Sequence, residues 1–233
     1  MFIVIEGTDG SGKETQAQLL LEYYKKTGTP TLYLDFPQYH SFFGRVVAKY
    51  LRGDFGGIKT ISPYLVSIVY ALDRSTRREE IRSFIQSGGV IVANRYVPSN
   101  VAHQSANIPD REDRLKFMNW IQELEYEHLG IPKEDLVIYL DLPWHIAMQK
   151  SEEKLSKGSG HDYLKGKADI HEVSEEHRRN TAEVYAELQT SNHHWRTVTC
   201  IDPQGKQRTP EQIHADIVQI VDDEMHKKNV AAG

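Results

Sequence analysis

The feature that most constrains the fold is a glycine-rich turn, GTDGSGK, at Gly7–Lys13. It lies directly between the apolar run Phe2–Glu6 and a helical pattern that begins at Glu14. Its glycines permit backbone angles that other residues avoid, so successive amide N–H groups can turn inward around an anion. The helix amino end and Lys13 add positive charge at the same point. The turn therefore predicts a phosphate-binding loop (P-loop) in a β-loop-α unit.

The rest of the chain repeats the order of short apolar run, turn and amphipathic helix, which is typical of a parallel sheet with helices on both faces. Strands are predicted at Phe2–Glu6, Thr31–Asp35, Val90–Asn94, Leu136–Asp141 and Thr197–Asp202. Helices are predicted at Glu14–Thr27, Gly44–Arg52, Pro63–Gln86, Asp110–Leu129, Pro143–Lys157, Ser174–Gln189 and Pro210–His226. We therefore expect one α/β domain over residues 1–233, built on a five-stranded parallel sheet.

Composition excludes several other classes of protein. A net charge of −5 lacks the basic face of a general nucleic-acid binder, so no nucleic-acid polymer is expected as a partner. Cys200 is the only cysteine, which excludes an internal disulfide and is more typical of a buried small residue than of a catalytic thiol. No apolar run approaches the roughly 20 residues that cross a bilayer, and the first residues have no basic leader. We expect a cytoplasmic protein without a membrane partner.

One segment interrupts the regular alternation. Residues 152–172 are polar, contain glycine and are rich in lysine. Such a segment is typical of a solvated loop, unless other evidence places it over a ligand. We interpret it as a mobile lid.

Glu14 departs from the usual P-loop pattern, because a Ser or Thr hydroxyl that ligates Mg²⁺ normally follows the lysine. Thr15 comes one position late. Two interpretations remain open: Glu14 is a charged ligand of a divalent cation, or it is a first-turn carboxylate favoured by the helix dipole.

The P-loop alone does not give the reaction. A GTPase would need an N-K-x-D segment to read the base, and this string does not occur. Helicase-type ATPases are larger, so a small phosphotransferase fits the length better. A nucleotide-binding regulator without catalysis remains the alternative from another class. The unusual residues Glu14 and Asn94 support it.

Six segments, taken in order and spacing, resemble the thymidylate kinase family of nucleoside monophosphate kinases nearly end to end. They are FIVIEGTDGSGK, DFPQY, AKYLRGDFG, YALDR, NRYVPSNVAHQ and DLVIYLDLP. The resemblance implies a P-loop kinase that moves the γ-phosphoryl of Mg·ATP to dTMP, giving dTDP and ADP for dTTP synthesis. It also implies Mg²⁺, ATP and dTMP as ligands and a homodimer formed through helices. Another small P-loop kinase for a deoxynucleoside or pyrimidine monophosphate is the nearest alternative.

The resemblance also implies roles for particular residues. The catalytic group would be Lys13, Arg95 and Asp9. ATP would be held by Gly7, Thr8, Asp9, Gly10, Ser11, Gly12, Lys13, Glu14 and Thr15. The dTMP site would contain Asp9, Phe36, Tyr39, Tyr70, Arg74, Arg95, Ser99, Asn100, His103, Gln104, Asp169 and Glu172. Mg²⁺ would be held by Asp9, Glu14 and Glu172, and one of Lys154, Lys157, Lys165 and Lys167 would act from the lid.

Elementary chemistry agrees with part of this set. Arginine offers planar, always-charged donors for phosphate oxygens, and Arg95 follows a strand that should end at the P-loop. Aromatic rings such as Tyr70, Phe36 and Tyr39 can stack on a base, which contributes roughly 1–3 kcal/mol per base in nucleic-acid sites.

Two further residues depart from the family pattern. Asn94 stands where the family commonly has Asp, and His103 stands where Tyr is frequent against the sugar. We hypothesise that Glu14 supplies the metal-directed charge that Asn94 lacks, which would keep the local anion count constant.

Overall fold

Five parallel strands form one sheet in the computed structural model, which describes residues 1–156, 162–167 and 169–232. They are β1 Phe2–Glu6, β2 Thr31–Asp35, β3 Val90–Asn94, β4 Leu136–Asp141 and β5 Trp195–Thr199, in the spatial order β2-β3-β1-β4-β5. The α/β prediction is confirmed, and the first four strands have the predicted bounds.

The prediction for β5 was displaced along the chain. The strand begins at Trp195, which pairs with Val137 of β4, and it ends before Cys200. Asp202, predicted as its last residue, instead lies in a turn, where its carboxylate accepts the amide N–H of Lys206 at 2.8 Å. The apolar run TVTCI led to a predicted strand that began two residues too late, because the buried Trp195 starts the strand at its amino end.

Helices cover both faces of the sheet. They are α1 Lys13–Lys26, α2 Phe42–Leu51, α3 Pro63–Ser75, α4 Arg78–Gln86, α5 Val97–Ser105, α6 Arg111–Gln122, α7 Trp144–Ser156, α8 Ile170–Val173, α9 Glu175–Ser191 and α10 Pro210–Ala232. Within β1, Phe2 and Val4 pack into one core cluster and Ile3 and Ile5 into the other. A strand that is apolar on both faces needs a helical layer on each side, as the sequence predicted. No helix in the described ranges is both long and apolar enough to cross a membrane.

Two predicted helices are interrupted. The helix expected over Pro63–Gln86 ends at Ser75 and restarts at Arg78, and the Thr76 hydroxyl at the break donates to the Asp73 carbonyl at 2.7 Å. Side-chain bonding of this kind competes with the helical ladder. The helix expected over 110–129 changes to π-helical turns at Glu123–His128, which widen the helix.

Two helices were not predicted, namely α5 and the four-residue α8, which begins in the segment interpreted as a lid. Helix α5 carries Pro98 in its first turn, where the missing N–H costs no hydrogen bond. All nine of its side chains are buried. The helix follows β3 directly, so its first turn lies at the same sheet edge as the P-loop after β1. The carboxyl ends of parallel strands are where α/β proteins hold ligands.

Candidate active site

The P-loop has the left-handed backbone that its glycines allow. Gly10 and Gly12 have φ of 90° and 94°, which L side chains rarely adopt. A Cβ added at Gly10 would lie 2.0 Å from the carbonyl oxygen of Ala147 on α7, so this close approach also requires glycine. Lys13 begins α1 immediately after Gly12. The loop therefore ends at a helix amino terminus, which favours a bound phosphate.

Lys13 is buried against its own loop. Its ammonium donates to the Thr8 carbonyl at 2.9 Å and lies 3.7 Å from the Asp9 carboxylate. Burial, with the nearby Arg95 charge, lowers the pKa of Lys13 to about 8. The buried hydroxyls of Thr8 and Ser11 make no hydrogen bond with any described residue. A bound polyphosphate would supply the missing partners and restore a strongly charged Lys13.

Arg95 sits opposite the P-loop at the end of β3. Its φ of 64° is left-handed, which is uncommon for a residue other than glycine. Its guanidinium forms an ion pair with Asp9, and Nη1 also donates to Ser99 Oγ at 3.2 Å and to His103 Nε2 at 3.1 Å. Burial acts to raise the pKa of Asp9, but the charges of Arg95 and Lys13 prevail and hold that pKa well below its ordinary value. Asp9 is therefore an anion between two cations.

Sequence reasoning missed Glu6, which fixes the start of α5. Its fully buried carboxylate accepts the Tyr96 N–H at 2.9 Å, the Ser99 N–H at 3.1 Å and the Tyr185 hydroxyl at 2.8 Å. Ser99 Oγ donates to the same carboxylate at 2.7 Å. A carboxylate as the last residue of a wholly buried strand was the available signal, because such a group must find hydrogen-bond partners. Ser99 therefore belongs to this network as well as to the site.

Arg74 is paired with a residue that the sequence did not single out. Its Nε donates to Glu125 Oε2 at 2.6 Å, its Nη2 pairs with Oε1, and both side chains are buried. Asn100 donates to Glu125 Oε1 at 2.8 Å and to the Ser67 carbonyl at 3.1 Å. The π-helical turns bring Glu125 against Arg74. The regular period of an α-helix does not predict this placement. Arg74 is thus held rigidly while it lines the pocket.

The predicted base-stacking aromatics line the same pocket. Phe36 is buried against Tyr96, with ring centroids 5.8 Å apart. Tyr39 stacks on Tyr163 at 3.7 Å with an interplanar angle of 6°. Tyr70 on α3 is half-buried. One wall of the pocket is therefore aromatic.

A single pocket of about 1010 Å³ brings the predicted residues together. All twelve predicted dTMP residues line it: Asp9, Phe36, Tyr39, Tyr70, Arg74, Arg95, Ser99, Asn100, His103, Gln104, Asp169 and Glu172. Of the predicted ATP residues, the lining contains Asp9, Gly10, Gly12, Lys13, Glu14 and Thr15, whereas Gly7, Thr8 and Ser11 complete the loop without lining this pocket. This volume is large enough for a substantial organic ligand.

Asp169 and Glu172 lie at the far side of the pocket. Asp169 caps α8 by accepting the His171 N–H at 2.8 Å, and it accepts the Tyr163 hydroxyl at 3.2 Å. Burial, reinforced by the charge of Glu172, raises the pKa of Asp169 to about 7. Glu172 Oε2 lies 3.9 Å from Arg178. Both acids line the pocket, and Asp169 holds its proton more tightly than an ordinary carboxyl group does.

The predicted lid is described in part. Lys157 and the side chain of Lys154 lie outside the described residues. Lys165 lines the pocket, whereas Lys167 pairs with Asp54 at 2.7 Å on the exposed side. Among the lid lysines whose side chains are described, Lys165 is therefore the one that lines the pocket.

The residues present fit a magnesium ion near the P-loop. Asn94 donates to Asp35 Oδ1 at 2.8 Å, while its buried Oδ1 has no partner in the described part of the chain. Burial raises the pKa of Asp35, and the charge of Glu14 adds to this effect. Both carboxylates line the pocket together with Asn94. Mg²⁺ prefers oxygen ligands such as carboxylates and amide carbonyls. Asp35 is a candidate magnesium ligand that the sequence analysis did not identify.

A basic stripe on α2 was also missed. Arg45 and Lys49 on this helix, and Arg52 at its C-cap, line the pocket. Their spacing of four and three residues places them on one face, and this was the signal available in the sequence. Arg52 donates to the Tyr163 carbonyl at 2.7 Å and pairs with Asp54 at 2.9 Å. This stripe adds positive charge to the pocket wall.

A P-loop after the first strand, with Arg95 and Arg74 across one large pocket, defines a P-loop protein built to hold phosphorylated ligands. Comparison with known proteins narrows the class. Residues 5–213 match the family model described as thymidylate kinase. The chain belongs to the thymidylate kinase family and is thus a nucleoside monophosphate kinase, so the resemblance seen in the sequence is confirmed.

Individual relatives agree with this assignment. A thymidylate kinase of Mycobacterium tuberculosis is 31% identical over 189 residues, which cover 81% of this chain and 85% of that protein. A probable thymidylate kinase of Thermococcus onnurineus is 30% identical over 233 residues, which cover 98% of this chain and 100% of that protein. The solved structure of thymidylate kinase from Candida albicans matches with a TM-score of 0.70 at 20% identity and covers 96% and 92% of the two chains. This last likeness bears on the fold alone.

Proposed function

We propose that this chain is a thymidylate kinase that transfers the γ-phosphoryl group of ATP to the 5′-phosphate of dTMP. The bond between the β- and γ-phosphates of ATP breaks and a bond to an acceptor phosphate oxygen forms, giving ADP and dTDP. The observation that carries the proposal is that the P-loop with Lys13 and the paired Arg95 face each other in one pocket. A donor phosphate and an acceptor phosphate can meet there.

The donor side consists of the loop and Lys13. Loop amides and the α1 amino terminus receive the ATP phosphates, and the Lys13 ammonium neutralises the outer phosphates. Gly10 and Gly12 keep this backbone open, because their φ values exclude most side chains. A loop with this backbone needs little reorganisation to receive ATP.

The acceptor side consists of Arg95 and Arg74. Arg95 is neutralised by Asp9, so an incoming dTMP phosphate competes with Asp9 for the N–H donors of Arg95. Arg74 is oriented by Glu125 and presents its remaining donors toward the pocket. A phosphate acceptor is ionised at neutral pH and needs no strong base, so catalysis is alignment and charge neutralisation.

Base recognition rests on the aromatic wall and on Gln104. The Gln104 side chain is buried, and its Oε1 has no partner within the described residues. An unpaired buried acceptor favours a ligand with an N–H donor, and thymine carries one on its Watson–Crick edge. Asn100 already donates to Glu125 and Ser67, so only its unpartnered carbonyl oxygen remains for the base.

Magnesium is part of this proposal. Glu14, Asp35 and Asp9 would hold it near the P-loop, where a bound cation neutralises charge on the transferring phosphates. The exchange of a carboxylate between positions 94 and 14 remains a hypothesis. Mg²⁺ titration of turnover in Glu14→Thr, Asn94→Asp and the double variant tests it. Rescue of Mg²⁺ dependence in the double variant supports the exchange, and additive losses reject it.

Assembly and location complete the proposal. Phe42 on α2 and Leu65 on α3 are 68% and 61% exposed, which suits a homodimer formed through these helices. Leu65→Arg should then shift the mass measured by light scattering from dimer to monomer. A wild-type monomer would contradict the dimer. The cytoplasm remains the predicted compartment.

The proposal is tested by release of ADP from ATP and Mg²⁺ with a panel of acceptors. We expect rapid ADP release with dTMP and much slower release with dUMP, UMP and thymidine. A preference for thymidine or UMP would favour another small P-loop kinase. Tight ATP binding without ADP release on any acceptor would favour a nucleotide-binding regulator.

A further inference from the structure

Three buried histidines pack against one another beside the active site. We call His103 on α5, His171 on α8 and His177 on α9 the histidine cluster. The ring centroids of His171 and His177 are 4.4 Å apart, and those of His103 and His171 are 5.6 Å apart. One nitrogen from each ring lies within 4.8 Å of the others. These residues come from three separate helices, so the fold brings them together.

The hydrogen bonds around the cluster leave inward nitrogens available. His177 Nδ1 lies 3.1 Å from the Asn107 amide oxygen, which can only accept, so the proton is on Nδ1 and the lone pair is on Nε2. This Nε2 is buried and has no partner among the residues described. His171 Nε2 faces the Tyr50 hydroxyl at 3.1 Å, which leaves Nδ1 as its available nitrogen. Metal-ligating histidines typically use one nitrogen for an orienting hydrogen bond in this way.

His103 supplies the third nitrogen. Its Nε2 accepts from Arg95, and its Nδ1 is buried without a partner in the described ranges. Unsatisfied polar atoms in a protein interior are costly, and two of them here belong to the same cluster. A shared ligand explains both atoms together.

The cluster has space and a counter-charge. A cavity of about 10 Å³, close to one water-sized sphere, is lined by all three rings and by Asp9. Asp9 offers a carboxylate oxygen and a negative charge, whereas Arg178 lines the same cavity and Arg95 lies next to His103. Burial lowers the pKa of His177 to about 4, so this imidazole is neutral near pH 7. Neutral imidazoles can ligate a cation without first losing a proton.

We propose that the histidine cluster binds one divalent transition-metal ion of the zinc type. Three imidazole nitrogens suit Zn²⁺, Co²⁺ or Ni²⁺, whereas Mg²⁺ prefers oxygen ligands, so this site differs from the magnesium site near the P-loop. With Zn–N distances of about 2.0–2.1 Å, tetrahedral ligands lie about 3.3 Å apart. The ligating nitrogens therefore need to approach one another by at most about 1.5 Å. Water can occupy the fourth position, and Asp9 supplies negative charge nearby.

Metal binding is coupled to the active site through His103. When Nδ1 ligates a metal, the proton of a neutral His103 must sit on Nε2, where it would meet an Arg95 N–H donor. The hydrogen bond between Arg95 and His103 therefore breaks when the metal binds. Because Arg95 belongs to the proposed acceptor site, metal and dTMP alter each other's affinity, and this coupling is reciprocal.

The direct test is a Co²⁺ titration of the metal-stripped full-length chain, followed by visible absorption. We expect one equivalent to give the intense d–d bands of tetrahedral cobalt, and Zn²⁺ to displace it even in excess Mg²⁺. The bands should be lost in His177→Ala and in His171→Gln and kept in His145→Ala, which removes an exposed histidine outside the cluster. Asn107→Ala should weaken Zn²⁺ binding roughly tenfold, as loss of an orienting hydrogen bond does.

Folding is checked separately by circular dichroism and thermal unfolding with and without Zn²⁺. Zn²⁺ should raise the Tm of the wild type and of His145→Ala, and it should leave the Tm of the two cluster variants unchanged. If both cluster variants fail to fold, the wild-type Co²⁺ spectrum decides. Absent bands, an octahedral spectrum or bands that persist in a folded His177→Ala variant would overturn the proposal.

Discussion

The carboxylate of Asp9 in the P-loop forms an ion pair with the guanidinium of Arg95 at the end of β3. Strand β1, which leads into the P-loop, pairs with β3 so that Ile5 lies opposite Asn94. The P-loop after β1 and Arg95 after β3 therefore lie at the same edge of the sheet. The pair joins the donor side of the pocket to the acceptor side. Under the proposed function, an incoming phosphate competes with Asp9 for the N–H donors of Arg95.

Arg95→Ala should therefore slow turnover by about 10²–10³-fold, because a charged donor to the transferring group is lost. Arg111→Ala is the matched control, since that side chain is 74% exposed. Steady-state kinetics with dTMP and Mg·ATP measure the effect. Near-normal turnover in Arg95→Ala would remove Arg95 from the mechanism.

The lowered pKa of Lys13, about 8, predicts a pH effect on ATP capture. In the free enzyme the ammonium loses its proton as pH rises through about 8, so kcat/KM for ATP should fall above that value. Bound phosphates stabilise the ammonium, so kcat at saturating ATP should stay flat over the same range. pH profiles of both parameters decide, and a flat kcat/KM would contradict the assignment.

Glu125→Gln should weaken both the fold and dTMP binding. The change leaves the buried Arg74 charge without its anion, and breaking a buried pair costs about 3–5 kcal/mol. Denaturant unfolding should show this loss, and KM for dTMP should rise because Arg74 is no longer oriented. Glu127→Gln, an exposed position two residues along, should change neither quantity. Equal effects in the two variants would show that the pair has no special role.

Asp169 should make stability fall as pH rises. Its pKa is about 7 in the fold against 3.8 in the unfolded reference, so above pH 4 the unfolded state holds fewer protons. The free energy of unfolding is therefore lost progressively up to about pH 7 and levels off above it. Asp169→Asn keeps a capping oxygen and should be more stable at pH 8, by an order of 1–4 kcal/mol, with a smaller gain at pH 5. Urea unfolding at both pH values checks this, and a pH-independent difference would contradict it.

The sequence predicted the sheet well because its strands are buried on both faces. In β1 and β3 every residue is buried, so a short apolar run between turns had one reasonable interpretation. Helix ends were harder, since the break at Thr76 depends on a local side-chain hydrogen bond. The π-helical turns at Glu123–His128 follow from tertiary packing, which a helical period does not encode.

The site residues also divide into those that local sequence features reveal and those that depend on distant contacts. Arg95 and Lys13 could be placed from a strand end and a glycine pattern, because both are local features. Glu6, Glu125 and Asp35 could not, because each acts through a partner distant in sequence: the intervals from Glu6 to Tyr185, Arg74 to Glu125 and Asp35 to Asn94 are 179, 51 and 59 residues. Such carboxylates become informative only once the fold shows which buried donor they satisfy.

Phosphoryl transfer can be followed directly with radiolabelled γ-phosphate in ATP, in the presence of dTMP and Mg²⁺. We expect the label to appear in dTDP, with one label for each ADP formed. Lys13→Ala should abolish the transfer, whereas Lys25→Ala, which changes an exposed lysine on the same helix, should retain it. Label that remains in ATP, or that appears only as inorganic phosphate, would contradict phosphoryl transfer between the two halves of this pocket.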